Sequence, residues 1–313
     1  MDKTNSKFTI NYVKELMDHI LEKNSVFVIG PNGMGKSSIL SGAINNLQNR
    51  PGYRYLEFDM KKEAQSGALQ FYSTIIHKII SSEPIQLSNR RLSSVFFEKF
   101  AEREPEGNEQ LILFFDHVES VNNYFYDQFS KDCRKIINAI PIQKRPIFVF
   151  CGSKIAVESR DPDTSPLWNI TKHIEIKACK KEDQRELIIH HYIDIMEGQM
   201  PDEECISFIA NISNGHLLLI RSMIRFITTN NIKNFSQQND IIVNYLDYSL
   251  SEKTNDKKLV NHFQHLINYL KTTPLLVESL IDVIKRNAGS SNNIPERFDN
   301  ITITGILTIN SSN

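Results

Sequence analysis

Apolar residues in this chain switch between two spacings, and the switches mark its elements. Tyr12, Val13, Leu16, Met17 and Ile20 recur at helical spacing and predict an amphipathic helix. Ser25 to Ile29 is a short β-branched and aromatic run, which predicts a buried strand. Ser38 to Leu47 predicts a helix that Arg50-Pro51-Gly52 ends, and Tyr53 to Asp59 a second strand. Phe71, Ile75, Ile76, Ile79 and Ile80 predict the next helix, and Leu92 to Ala101 another. Leu111 to Phe115, after Gln110, is a continuous apolar run that ends in Asp116. A strand apolar on both faces belongs in the middle of a parallel sheet. Tyr124 to Ile140 predicts a helix, Pro146 to Ser153 a buried strand, and Ile170 to Ile176 the last strand.

Beyond Ile176 the strand pattern stops. Lys180 to Met196, Pro201 to Ile212 and His216 to Ile227 predict helices, the last two split by Ser213-Asn214-Gly215. Strands followed by a run of helices predict a separate small domain. A polar link at Lys253 to Lys258 precedes helical patterns over Leu259 to Leu270 and Leu275 to Arg286, broken by Thr273-Pro274. Ile301 to Ile309 predicts a hairpin turning near Gly305. The expected fold is α/β: a parallel sheet flanked by helices over 1–178, a helical lid over 179–250 and a winged-helix-like domain over 251–313.

Composition narrows the classes little. The chain has 313 residues, enough for two or three domains, and a formal net charge of −1, so no global basic field favours nucleic acid. The tail has few Lys or Arg, which favours packing over DNA binding there. Four cysteines lie far apart with no C-x-x-C pair, which fits a reducing compartment. No apolar signal core and no run of about 18 apolar residues occurs. The expected location is cytoplasmic.

Gly30-Pro31-Asn32-Gly33-Met34-Gly35-Lys36-Ser37 fits G-x-x-x-x-G-K-S/T, the phosphate-binding loop. It stands between a predicted strand and a predicted helix, as the motif requires. Glycines let backbone N–H groups turn inward around a phosphate. The helix N-terminus adds a positive dipole end. Lys36 is expected to reach the β- and γ-phosphates, the Ser37 hydroxyl to ligate Mg2+, and Ser38 to complete the nucleotide contacts.

Asp116 closes an apolar run in the manner of a Walker B acid and is expected to hold Mg2+ across from Ser37. Glu119 is either the general base for water or the cap of a helix beginning near Ser120 or Val121. Asp59 ends its strand as a cap or solvated carboxylate. Ser153 is either a sensor of the γ-phosphate or a turn residue. Arg160 in the polar loop after it is a solvated arginine or an arginine finger. His216 and Arg221 are candidate phosphate contacts in the lid, against a packed or solvated role.

The order of GPNGMGKSS, PGYRYLEFD, LILFFDHVES, IFVFCGSK, the SPLWNITKHIEIKACKKEDQRELI stretch and ISNGHLLLI resembles the AAA-like branch of the STAND ATPases. That branch is itself close to the archaeal and Orc-like AAA+ ATPases. The resemblance covers about residues 8 to 230. It implies a parallel sheet, a helical lid and a winged helix, with ATP and Mg2+ as ligands. It further implies self-association gated by nucleotide and a signal passed to a separate effector protein. Lys36 and Ser37 inherit phosphate and Mg2+ binding, Asp116 the metal role and Glu119 the activating acid, while His216 falls in the family's Gly-His lid element. Asn32, where relatives often carry arginine, and His117, where many P-loop ATPases carry a second acid, depart from the pattern. The expected function is a switch ATPase with slow hydrolysis in a signalling or defence-type complex. The alternatives are a DNA-binding AAA+ ATPase of replication initiation or transposition, and a scaffold that holds nucleotide without turnover.

Overall fold

The computed structural model describes residues 6–63, 67–80, 92–103, 109–121, 123–153, 167–250 and 260. Apart from Val260, the helical patterns over Leu259 to Leu270 and Leu275 to Arg286, the hairpin at Ile301 to Ile309 and Arg160 lie outside the described residues. The described residues fall into two compact units: those of Thr9–Gly30 with Lys36–Ile176, and those of 6–8 with Pro31–Gly35 and 177–250.

Among the described residues, the first unit is built on five strands, β1 (Val26–Ile29), β2 (Tyr53–Asp59), β3 (Gln110–Asp116), β4 (Ile147–Gly152) and β5 (Lys172–Glu175). Their order is β2-β3-β4-β1-β5, and every pairing is parallel. The sequence explains the order. β1 and β4 are buried at every position and β3 at all but its last, so these three take the middle. β5 reads exposed, exposed, buried, exposed, as an edge strand covered on one face does.

Helices cover both faces. α1 (Lys7–Leu21) and α2 (Lys36–Gln48) approach so closely that a Cβ on Gly42 would lie 2.7 Å from a methyl of Val13. A short helix, α3 (Met60–Glu63), follows β2 and went unread in the sequence. The other face carries α4 (Gly67–Ile80), α5 (Leu92–Ala101) and α6 (Asn123–Ala139). Phe71, Tyr72, Phe96 and Phe129 from these helices meet Phe115, Phe148 and Phe150 of the sheet in one buried aromatic core. Edge-to-face pairs dominate between the helices, such as Tyr72 against Phe96 with centroids 4.9 Å apart. Each such pair adds about 0.5–1.5 kcal/mol beyond area burial.

Among the described residues, the second unit carries α7 (Lys181–Ile195), α8 (Glu203–Ser213), α9 (Leu217–Thr229) and α10 (Gln238–Leu250). Asp202 caps α8 by accepting the Cys205 N–H at 2.7 Å. Asn214 ends that helix in the left-handed region, and Gly215 follows with φ 78°. A Cβ on Gly215 would lie 2.3 Å from the Cys179 carbonyl, so the turn admits only glycine. Leu187, Ile188, Phe208, Ile220, Met223 and Ile224 fill the core.

Candidate functional site

The C-terminal edge of a parallel sheet is where open α/β folds bind ligands. Here the ends of β1, β3 and β4 bring the expected residues together. β3 and β4 run in register with Phe115 opposite Phe150, and β1 and β4 with Ile29 opposite Gly152. Asp116 and Cys151 come next on these neighbouring strands, on the face shared with Phe114 and Val149.

Lys36 opens α2 and is buried, with 8% of its surface exposed. Its Nζ donates to the Gly30 carbonyl at 2.8 Å. The lysine is thus held on the Gly30 carbonyl rather than standing in solvent. Ser37 is exposed and Ser38 partly so. Gly30 also donates its N–H to the Gly152 carbonyl at 3.3 Å, and a Cβ there would lie 2.9 Å from the Ile176 carbonyl oxygen. That glycine is fixed by the close approach of Ile176.

The loop itself, Pro31–Gly35, belongs to the second unit. Gly33 and Gly35 have φ of 82° and 84°, the left-handed region that such a turn requires. Within that unit a Cβ on Gly33 would lie 2.6 Å from the Leu218 Cβ, and one on Gly35 3.1 Å from Leu217 Cδ2. So the start of α9 packs directly on the glycine turn. His216, just before it, is buried, at 3% exposure. Sequence reading placed His216 at this element but not Leu217 and Leu218, which look like ordinary core leucines.

Asp116 Oδ1 accepts the His117 N–H at 2.8 Å. His117 sits in the left-handed region at φ 58° and turns its Nδ1 to 3.1 Å from Asp59 Oδ1 and 3.7 Å from Asp116 Oδ2. Asp59 also accepts the Lys61 N–H at 3.1 Å, the capping bond its position suggested. An imidazole therefore bridges the carboxylates of two adjacent strand ends, a link invisible from a lone histidine in sequence.

Glu119 lies in a single 3-10 turn, Val118–Ser120, and α6 begins only at Asn123. Its Oε2 accepts the Ser153 N–H at 3.2 Å, 34 residues away. The capping alternative for Glu119 thus gives way to a contact with the end of β4. Physically, the carboxylate reaches across the sheet edge instead of back along its own chain.

Cys151 shows how closely these charges converge. Burial, then the Asp116 carboxylate, push its thiol well above the ordinary range, with Glu119 adding to the rise and Lys36 opposing it. One buried sulfur thus feels the lysine and both acids. Sequence reading passed over Cys151 because an apolar strand hides it. The available signal was its place two residues before Ser153.

In the helical unit, His191 is buried on α7, and its Nε2 has no hydrogen-bond partner among the described residues. Burial and then the charge of Arg221 lower its pKa to about 4. Arg221 therefore lies near His191 and is only partly exposed. Gln184, buried on the same helix, donates to the Cys179 carbonyl at 2.9 Å.

The residues suit Mg-nucleotide. Ser37 and Asp116 offer one hydroxyl and one carboxylate, hard oxygen donors of the kind Mg2+ takes while keeping several waters. Among the described residues no group of three or more His, Cys, Asp or Glu is arranged to hold a metal by itself. Among them, too, no helix is long and apolar enough to cross a membrane.

No protein-family model matches the sequence, and no curated protein does. Solved structures do match. Cdc6p from Pyrobaculum aerophilum is 15% identical with a TM-score of 0.52 over 74% of this chain, and the match spans 65% of that chain, just under two thirds. The Walker-type ATPase of Pyrococcus abyssi is 16% identical with a TM-score of 0.50 over 95% of this chain and 87% of its own. ORC of Drosophila, solved bound to DNA, is 13% identical with a TM-score of 0.50 over 94% of this chain and 76% of its own. At these identities the likeness is one of fold. The parallel sheet with its glycine loop between β1 and α2 is an AAA+-type P-loop NTPase fold, of the kind found in Cdc6- and Orc-like proteins.

Proposed function

We propose that this chain is a Mg-ATP-binding switch ATPase whose slow hydrolysis resets an assembly. The observation that carries the reading is the placement of Lys36, Asp116 and Glu119 at one sheet edge: Lys36 on the Gly30 carbonyl after β1, Asp116 at the end of β3, and Glu119 on the Ser153 N–H after β4. In this reading Gly30 to Ser38 cradle the phosphates, with Lys36 exchanging the Gly30 carbonyl for phosphate oxygens. Ser37 and Asp116 hold Mg2+, which supplies charge neutralisation when bound. Glu119 takes a proton from the attacking water, and Ser153 reports the γ-phosphate. His216 is a further nucleotide contact in this reading. His117, standing where a second acid is common, favours slow turnover.

The domain scheme 1–178, 179–250 and 251–313, the cytoplasmic location and the winged-helix character of the tail are parts of the same proposal. So are nucleotide-gated self-association and a separate effector protein in a signalling or defence-type complex. The γ-phosphate adds charge that one lysine cannot neutralise, so a second subunit's cation is the natural complement.

A second reading has an observation of its own. Drosophila ORC, one of the fold's neighbours, was solved bound to DNA. A DNA-engaged ATPase of replication initiation is therefore the rival. Light scattering with a non-hydrolysable ATP analogue, with ADP and without nucleotide tests the switch. A larger mass with the analogue alone supports it, and equal masses in all three sink it. Binding to duplex DNA that falls steeply with salt selects the rival.

A further inference from the structure

Gly152 ends β4 and meets the site in two ways. Its carbonyl accepts the Gly30 N–H at 3.3 Å, where the phosphate loop begins. Its bare Cα leaves the space that Glu119 crosses to reach the Ser153 N–H at 3.2 Å. A Cβ on Gly152 would lie 2.9 Å from Glu119 Oε2 and 2.5 Å from Val118 Cγ2. Contacts that short do not persist, so one of those side chains must move. Backbone conformation gives no reason for a glycine here, since Gly152 has no positive φ and pairs regularly with Ile29 as a strand residue. The need is for room, and the room is filled by a carboxylate.

We propose that Gly152 is a positioning residue: the side chain it lacks is the slot that seats the Glu119 carboxylate on the Ser153 N–H, beside the carbonyl that anchors Gly30. This deepens the assignment of Glu119 as general base and rests on it. A free carboxylate on a flexible stem loses most of its value as a base, because correct placement carries much of the rate. The slot fixes one oxygen on a backbone donor and leaves the other for water. The backbone around Gly152 links the base to the entry of the phosphate loop, so displacement of either is felt by the other.

The two crowded neighbours separate structure from placement. Val118 is buried and its methyl meets the new Cβ as core packing does. Glu119 Oε2 is the far end of a flexible side chain and swings away cheaply, leaving Ser153. Val118→Ala therefore removes the packing conflict and keeps the carboxylate conflict.

The experiment is a double-mutant cycle in the Val118→Ala protein, crossing Gly152→Ala with Glu119→Asp, and reading kcat, KM for ATP and thermal melting. In that background Gly152→Ala is expected to lower kcat about tenfold or more with KM and melting nearly unchanged. Glu119→Asp is expected to slow the protein that keeps Gly152. It is not expected to slow the protein carrying Gly152→Ala further, since the shorter acid clears the methyl. Additive effects, or a kcat that Gly152→Ala leaves unchanged, overturn the proposal. If the Val118→Ala, Gly152→Ala protein does not melt cooperatively, Glu119→Ala is added. Recovery of folding then supports a conflict with the carboxylate, and continued failure shows that the strand itself needs glycine and overturns it. Glu119→Gln in the native background separates the two layers: if it hydrolyses at the native rate, the base assignment fails first, whatever Gly152 does.

Discussion

The Glu119 carboxylate accepts the Ser153 N–H at 3.2 Å, tying the turn after β3 to the end of β4. A glutamine at this position keeps an oxygen for that bond and loses the basicity. Glu119→Gln is therefore expected to bind Mg-ATP as the native protein does and to release phosphate about 100-fold more slowly. Asp116→Ala is expected to do the reverse at the binding step, weakening Mg-dependent affinity while metal-free binding changes little. Phosphate-release rates and titrations with and without Mg2+ separate the two. Equal defects in both variants would contradict the division of roles.

The aromatic core carries one polar contact of consequence for stability. Tyr72 donates its O–H to Asp132 Oδ2 at 2.5 Å, and both residues are buried. Gln128 supports the other oxygen at 3.2 Å and also donates to Ser93, joining α5 to α6. Tyr72→Phe leaves one carboxylate oxygen without its donor in an apolar setting. The expected loss is about 1–3 kcal/mol of unfolding free energy. Urea unfolding measures it, and a native midpoint in the variant would show that the bond contributes nothing.

His191 gives a pH signature. Burial first, then Arg221 and His190, lower its folded pKa from 6.5 to about 4, and Asp194 opposes them. The unfolded chain takes up this proton at the higher pH, so folding is weakened as pH falls through that window. The contribution of neutral His191 is complete above 6.5 and lost progressively toward 4, by about 3 kcal/mol in all. His191→Gln is expected to flatten the fall in melting temperature between about pH 7 and about pH 4.5. An identical pH dependence in both proteins would assign the acid sensitivity elsewhere.

The strands that frame the site were legible because burial on both faces leaves a plain record. Val26 to Ile29, Leu111 to Phe115 and Ile147 to Cys151 admit nothing but apolar side chains. The glycine loop was legible because its positive φ values leave little choice of residue. What the sequence hid depends on register. Glu119 and Ser153 are far apart in the chain, and only the alignment of β3 with β4 brings them together. The alignment of β2 with β3 sets Asp59 opposite Asp116, and His117 bridges them from a backbone conformation that no propensity foretells. Cys151 and Gly152 looked like the tail of an apolar strand, and their chemistry comes from neighbours after β3 and at the start of the phosphate loop.

In the proposed function Gly30 to Ser38 hold the phosphates of a nucleotide and Lys36 supplies the charge. A titration of a fluorescent ATP analogue, with Mg2+, into the native protein and into Lys36→Ala tests this. Lys36 is buried and donates to the Gly30 carbonyl, so its loss also removes one loop contact, worth about 1 kcal/mol to folding. The variant is expected to melt cooperatively a few degrees lower and to show affinity reduced about 100-fold or more. Saturable binding in the native protein with that loss in the variant is the predicted result. Unchanged affinity in a folded Lys36→Ala protein would contradict it.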